Sequence, residues 1–169
     1  MRKINLLVIA LMAVVIGFSS CNSGVTEPQQ IGHQVFKILK TFDTKSRQEF
    51  DKEFPTTQDF INLNDSEYFK DVKNLLPRTS ESERNENISS CYNNIKTVGD
   101  ENEIIWKDIK LSYFGYDVKY KDVEYDDNRL IYIEGELYFT HRGEEYKMET
   151  FSMWNGEEYM LMQIRESIY

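Results

Sequence analysis

The chain is 169 residues long, with 29 Asp+Glu against 20 Lys+Arg and a formal net charge of −9. That length allows one domain, and 40% hydrophobic with 14% aromatic residues suffices for a core, which excludes wholesale disorder. The acidic balance excludes a nucleic-acid binder, which needs basic residues to displace phosphate counterions, and two Cys with two His leave too little for a disulfide framework or a histidine-rich metal site.

At the N-terminus Arg2 and Lys3 precede an apolar run from Leu6 to Phe18. A bilayer span needs about 20 apolar residues, so this run has the length of a signal-peptide core instead. The stretch Phe18-Ser19-Ser20-Cys21 resembles the lipobox of bacterial lipoproteins, with Phe18 where the pattern prefers Leu and Ser20 where it prefers Gly or Ala. The resemblance implies cleavage before Cys21, diacylglycerol on its sulfur and usually an acyl group on its amine. It also implies a place in the cell envelope, on the outer membrane facing the periplasm. Residues 1–20 then form the signal peptide, 21–30 the lipidated Cys and a flexible tether containing Pro28, and 31–169 a single α+β domain. Loss of Arg2 and Lys3 leaves 18 basic against 29 acidic residues, a charge of −11 that an anionic lipid surface repels. Cys91 is expected as a structural helix residue.

From Ile31 the pattern turns helical, with Val35, Ile38, Leu39 and Phe42 at helical spacing and Asp43-Thr44 closing the segment. Further helical segments are expected at Ser46–Phe54, stopped by Pro55, then at Thr57–Leu63, at Ser66–Leu76 before Pro77, and at Ser80–Val98. In the last, Ser80 and Glu83 offer a capping box and Gly99 a C-cap. After Gly99, Tyr, Ile, Val, Phe and Trp dominate. Turn signals recur at Asp126-Asp127-Asn128, Arg142-Gly143 and Asn155-Gly156, the last expected as a type I′ hairpin turn. Helices first and an antiparallel meander after them make an α+β fold.

This order, and the strand–Gly143–strand–Asn155-Gly156–strand stretch ending in Tyr159 and Leu161, resembles the nuclear-transport-factor-2-like (cystatin-like cone) superfamily. The resemblance covers roughly Ile31 to the C-terminus. It implies N-terminal helices packed on a curved sheet with a pocket on its concave face; Tyr159 stands where the family typically has Trp.

Two-residue turns at both hairpins put Ile131, Ile133, Leu137, Phe139, Tyr146, Met148, Trp154, Tyr159 and Leu161 on one face, expected beneath the helices. Gly135 lies opposite Thr150 on that face. Either Thr150 and Ser152, ringed by Tyr146, Trp154 and Tyr159, leave a pocket there, or Gly135 lets a helix pack closely. The opposite face carries Glu134, Glu136, Lys147 and Glu149 together with Tyr132, Phe151, Met153, Met160, Met162 and Ile164. Such an apolar set is either an interface or an inner layer under a helix or loop. Glu136 faces Glu149, with Lys147 diagonal to them.

No nucleophile elbow, phosphate loop, dinucleotide fingerprint or paired-Cys motif is present, so no catalytic residue, cofactor or metal is expected. His33 and His141 are far apart in sequence. Asp122, Glu124 and Asp126 start like a calcium loop, but Asp127 and Ile133 stand where it needs Gly and Glu. The expectation is therefore a membrane-anchored lipoprotein with a non-enzymatic domain that binds a protein partner or forms a homodimer. Two alternatives remain open: a small-ligand binder or minor enzyme using the Thr150/Ser152 pocket, and an acidic immunity or inhibitor protein.

Overall fold

The computed structural model describes residues 24–66, 69, 80–121 and 130–166. Its helices are α1 (Pro28–Lys40), α2 (Arg47–Asp51), α3 (Thr57–Asp65) and α4 (Glu81–Glu101). They are followed by strands β1 (Lys110–Lys121), β2 (Leu130–His141), β3 (Glu144–Trp154) and β4 (Tyr159–Glu166). The four strands form one open antiparallel sheet in the order β1-β2-β3-β4. The expected α+β class is correct. Cys21, most of the helix expected at Ser66–Leu76, and the acidic turn at 122–128 lie outside the described residues.

Local chemistry sets the helix starts. Ser46 with Glu49, Thr56 with Asp59, and Ser80 with Glu83 each form a reciprocal capping box. α1 begins at Pro28, suited to a first turn because it has no N–H to leave unpaired. Pro28–Gln30, expected as tether, are thus helical. Upstream of them the half-buried Val25 packs on the core, and its carbonyl accepts the Tyr159 N–H at 2.6 Å.

Gly99 is not a C-cap. It lies inside α4, where a Cβ would stand 2.7 Å from Trp106 Nε1, so the bare backbone admits the indole. The helix ends at Asn102; Glu103 adopts φ +50°, and the Ile104 N–H bonds the Gly99 carbonyl at 2.8 Å. This is a Schellman closure with Glu103 at the left-handed position.

The β2–β3 register is the expected one, with Phe139 opposite Tyr146, Leu137 opposite Met148 and Ile133 opposite Ser152. Arg142 (φ +52°) and Gly143 (φ +89°) supply the two left-handed residues of its turn. The β3–β4 register differs from expectation. Asn155 accepts the N–H groups of Glu157 and Glu158, each at 2.8 Å, which widens the turn to four residues. Trp154 therefore faces Tyr159, and Ser152 faces Leu161. A bulge in β4 at Met162, opposite Phe151 and Ser152, then sets Thr150 opposite Ile164. That extra residue turns Ile164 into the core, where it is fully buried, although two-residue turns without a bulge put it on the outer face.

The main core lies between the helices and one face of the sheet and includes Val35, Ile95, Ile133, Leu137, Phe139, Met148 and Leu161. A second, smaller cluster of Phe60, Leu63, Phe69, Leu130 and Met153 lies on the other face. The sheet is thus packed on the helix side except along part of β1, and on the other side only at one end.

Candidate functional site

On the helix-covered face, of the two readings of Gly135, the structure shows close packing: Phe114 fills the space beside it. A Cβ on Gly135 would stand 2.4 Å from Phe114 Cζ and 2.6 Å from Thr150 Oγ1, and a Cβ on Gly32 would stand 2.4 Å from Phe114 Cγ. The Phe114 ring is therefore clasped between a glycine of α1 and a glycine of β2, and these glycines bring helix and sheet together. Thr150 is buried beside it and Ser152 is buried further along β3, and their hydroxyls have no hydrogen-bond partner among the described residues. Tyr146 stacks on Phe139 at 5.6 Å, while Trp154 and Tyr159 meet edge to face at 4.8 Å, all three only partly buried.

The outer face divides in two. At one end Met153, expected at an accessible interface, is 3% exposed beneath Phe60 and Leu63 of α3, with Met160 and Met162 half-buried against the same cluster. That end is an inner layer, because α3 folds over it. The sequence pattern does not reveal this cover, since it comes from a distant segment. Tyr132 and Phe151 continue the layer, their rings 5.4 Å apart and half-buried.

The rest of the outer face is polar. Lys147 Nζ meets Glu136 at 2.8 Å, the Tyr138 hydroxyl donates to Glu136 at 2.9 Å, and Arg165 meets Glu149 at 2.8 Å. The expected opposition of Glu136 and Glu149 is thus offset on both sides. Hydrogen bonds from Lys147 and Tyr138 hold the Glu136 carboxyl below its ordinary range, and the bond to Glu136 pushes the Tyr138 phenol up. Between Gly115, Glu134, Glu149 and Gln163 runs an acidic groove of about 450 Å³.

A feature that composition did not flag lies on β1. Among the described residues the exposed large hydrophobic side chains are Tyr113, Tyr116, Val118 and Tyr120 of this strand, together with Ile61 and Ile105 elsewhere. Tyr113 stacks on Tyr138 at 4.5 Å on the outer face. Tyr116, Val118 and Tyr120 face the helix side, at 42%, 36% and 53% exposure, aligned with Gly135, Ile133 and Ile131. The signal in the sequence was the alternation Phe114-x-Tyr116-x-Val118-x-Tyr120, legible as a strip only once β1 is known to be an edge strand.

The two histidines stay apart in role. His141 is buried, and its Nε2 accepts the Ile105 N–H at 3.3 Å, whereas His33 is exposed beside a wide polar groove of about 1090 Å³ bounded by α1, α3 and the 155–158 turn. Cys91 is buried, its thiol pushed up by desolvation, and its Sγ accepts the Ile164 N–H at 3.4 Å. Among the described residues no group of three or more His, Cys, Asp or Glu is arranged to hold a metal ion, and no helix is long and apolar enough to cross a membrane. No protein-family model, curated protein or solved structure matches the chain.

Proposed function

We infer that the protein is a lipoprotein of the cell envelope, anchored through Cys21, whose cone-like domain is an interaction module and not a catalyst. The observation that carries this reading is the exposed apolar strip on β1, since contiguous apolar surface left in water marks a contact site. The docking of Val25 on Tyr159 agrees with an anchor: only three residues separate Cys21 from Val25, so the domain would sit close to the bilayer in a restricted orientation. Two or three acyl chains on Cys21, at about 0.8 kcal/mol per buried methylene, would hold it there.

The test is Cys21→Ser. This variant should leave the membrane fraction and lose fatty-acid labelling while its domain melts as before. Persistent labelling would overturn the anchor. A domain that binds nothing through β1 would overturn the module.

A second reading has one observation in its favour. The unpaired hydroxyls of Thr150 and Ser152 would suit a small polar ligand admitted by movement of Phe114. Ligand-induced stabilisation that Thr150→Val abolishes would bring this reading forward.

A further inference from the structure

The two edges of the sheet are finished differently. On β4 the Tyr159 N–H bonds the Val25 carbonyl and the Ile164 N–H bonds Cys91 Sγ, so outward-facing donors find partners, and α4 packs alongside. On β1, among the described residues, the backbone from Lys110 to Lys119 is bonded only to β2. This strand has 12 residues, is regular after a bulge between Leu111 and Tyr113, and carries the exposed strip Tyr116-x-Val118-x-Tyr120. An open edge of this kind is a template for another strand.

We propose that the occupant is a second copy of this chain, with the two β1 strands pairing antiparallel about a twofold axis at Val118 to make a continuous eight-stranded sheet. This deepens the interaction reading above and rests on it. The register follows from charge. A twofold perpendicular to the sheet keeps both helical layers on one side and requires pairing centred on a residue. Centring on Asp117 or Lys119 sets like charges face to face. Centring on Tyr120 opposes Lys119 to Lys121, and centring on Tyr116 opposes Asp117 to Gly115 and Lys119 to Tyr113. Centring on Val118 sets Asp117 of each copy opposite Lys119 of the other, two complementary pairs. On the helix side the same register places Tyr116 opposite Tyr120 twice, with the two Val118 side chains on the axis, so the exposed strip closes on itself. Asp117 and Lys119 already lie 3.2 Å apart within the strand, poised for a four-membered ladder.

The experiment uses the full-length chain in the membranes that carry it. Val118→Cys, treated with a mild oxidant, should give a disulfide-linked dimer above the level of the parent, whose Cys91 is buried. Tyr116→Cys alone should not, because the two copies of that position are offset by four residues, roughly 13 Å. Tyr116→Cys coexpressed with Tyr120→Cys should cross-link. In detergent, Lys119→Asp should weaken self-association by about tenfold. Asp117→Lys combined with Lys119→Asp should restore it.

Absence of Val118→Cys dimers in a chain that melts like the parent would overturn the proposal, as would a double charge swap that fails to restore association. A photoreactive phenylalanine analogue at Tyr116 separates the two levels of inference. An adduct with a second copy supports self-pairing. An adduct only with a different protein overturns self-pairing and leaves the interaction reading standing, and no adduct overturns both.

Discussion

At the residue scale the most informative contacts are those around Phe114. Its ring occupies space that Gly32 and Gly135 leave empty, next to the buried Thr150. A buried hydroxyl without a partner forfeits its hydration and gains nothing in return. Thr150→Val keeps the shape and removes the hydroxyl, so it should stabilise the domain by about 1 kcal/mol, read as a raised melting temperature. A fall would show that the hydroxyl has a partner in solution. Glu103 is the complementary case, a side chain in a backbone region suited to glycine. Its pairing with Arg142 at 3.6 Å is exposed and contributes little. Glu103→Gly should therefore raise stability by about 1 kcal/mol in a denaturant titration, whereas a loss would give the ion pair the greater weight.

At the element scale the reciprocal caps make the helix starts dependent on pH. Hydrogen bonds from the Ser80 backbone and hydroxyl hold the Glu83 carboxyl below its ordinary value, and those from Ser46 do the same for Glu49. A carboxyl depressed in the folded state stabilises it above the unfolded value, and this contribution is lost as pH falls through the folded value. Gln at position 83 keeps the cap without titrating, so Glu83→Gln should flatten the fall in melting temperature below about pH 4.5. An unchanged acid limb would assign that fall to other groups. The Ser80–Glu83 cap was legible in the sequence because both partners lie within four residues; the Ser46–Glu49 cap has the same spacing and was not read. The Arg142-Gly143 turn was equally legible, and it fixed the β2–β3 register. Asn155-Gly156 misled because the Asn155 side chain can satisfy two N–H groups of a wider loop instead of adopting positive φ. The bulge that turns Ile164 inward has no signature in Leu161-Met162-Gln163, which reads as an unbroken strand.

At the scale of the whole molecule, the sheet carries the main core on one face and a smaller cluster on the other, and the sequence could not say which end of the second face was roofed. α3 does this through Phe60 and Leu63, and Met153 lies beneath them. Met153→Ala should therefore cost about 2–5 kcal/mol of stability, as for a core residue, with no gain in solubility. A near-neutral result would mean that α3 lifts off and that this end is an open surface. The candidate site was legible only as residue types. Thr150 and Ser152 were assigned to the helix side and Phe151 and Met160 to the outer face, but whether space remained beside them depended on Phe114 and α3, which lie far off in the chain.

Pairing through the β1 edge, taken with the lipid anchor proposed above, constrains how the molecule lies on a bilayer. Two copies anchored in the same leaflet can be related only by an axis along the membrane normal. Pairing through β1 puts that axis perpendicular to the sheet, so the strands must then run parallel to the bilayer plane. Polarised infrared spectra of oriented membranes would register the tilt directly through the amide dichroism: strands lying flat accord with β1 pairing, and upright strands exclude it for copies sharing a leaflet.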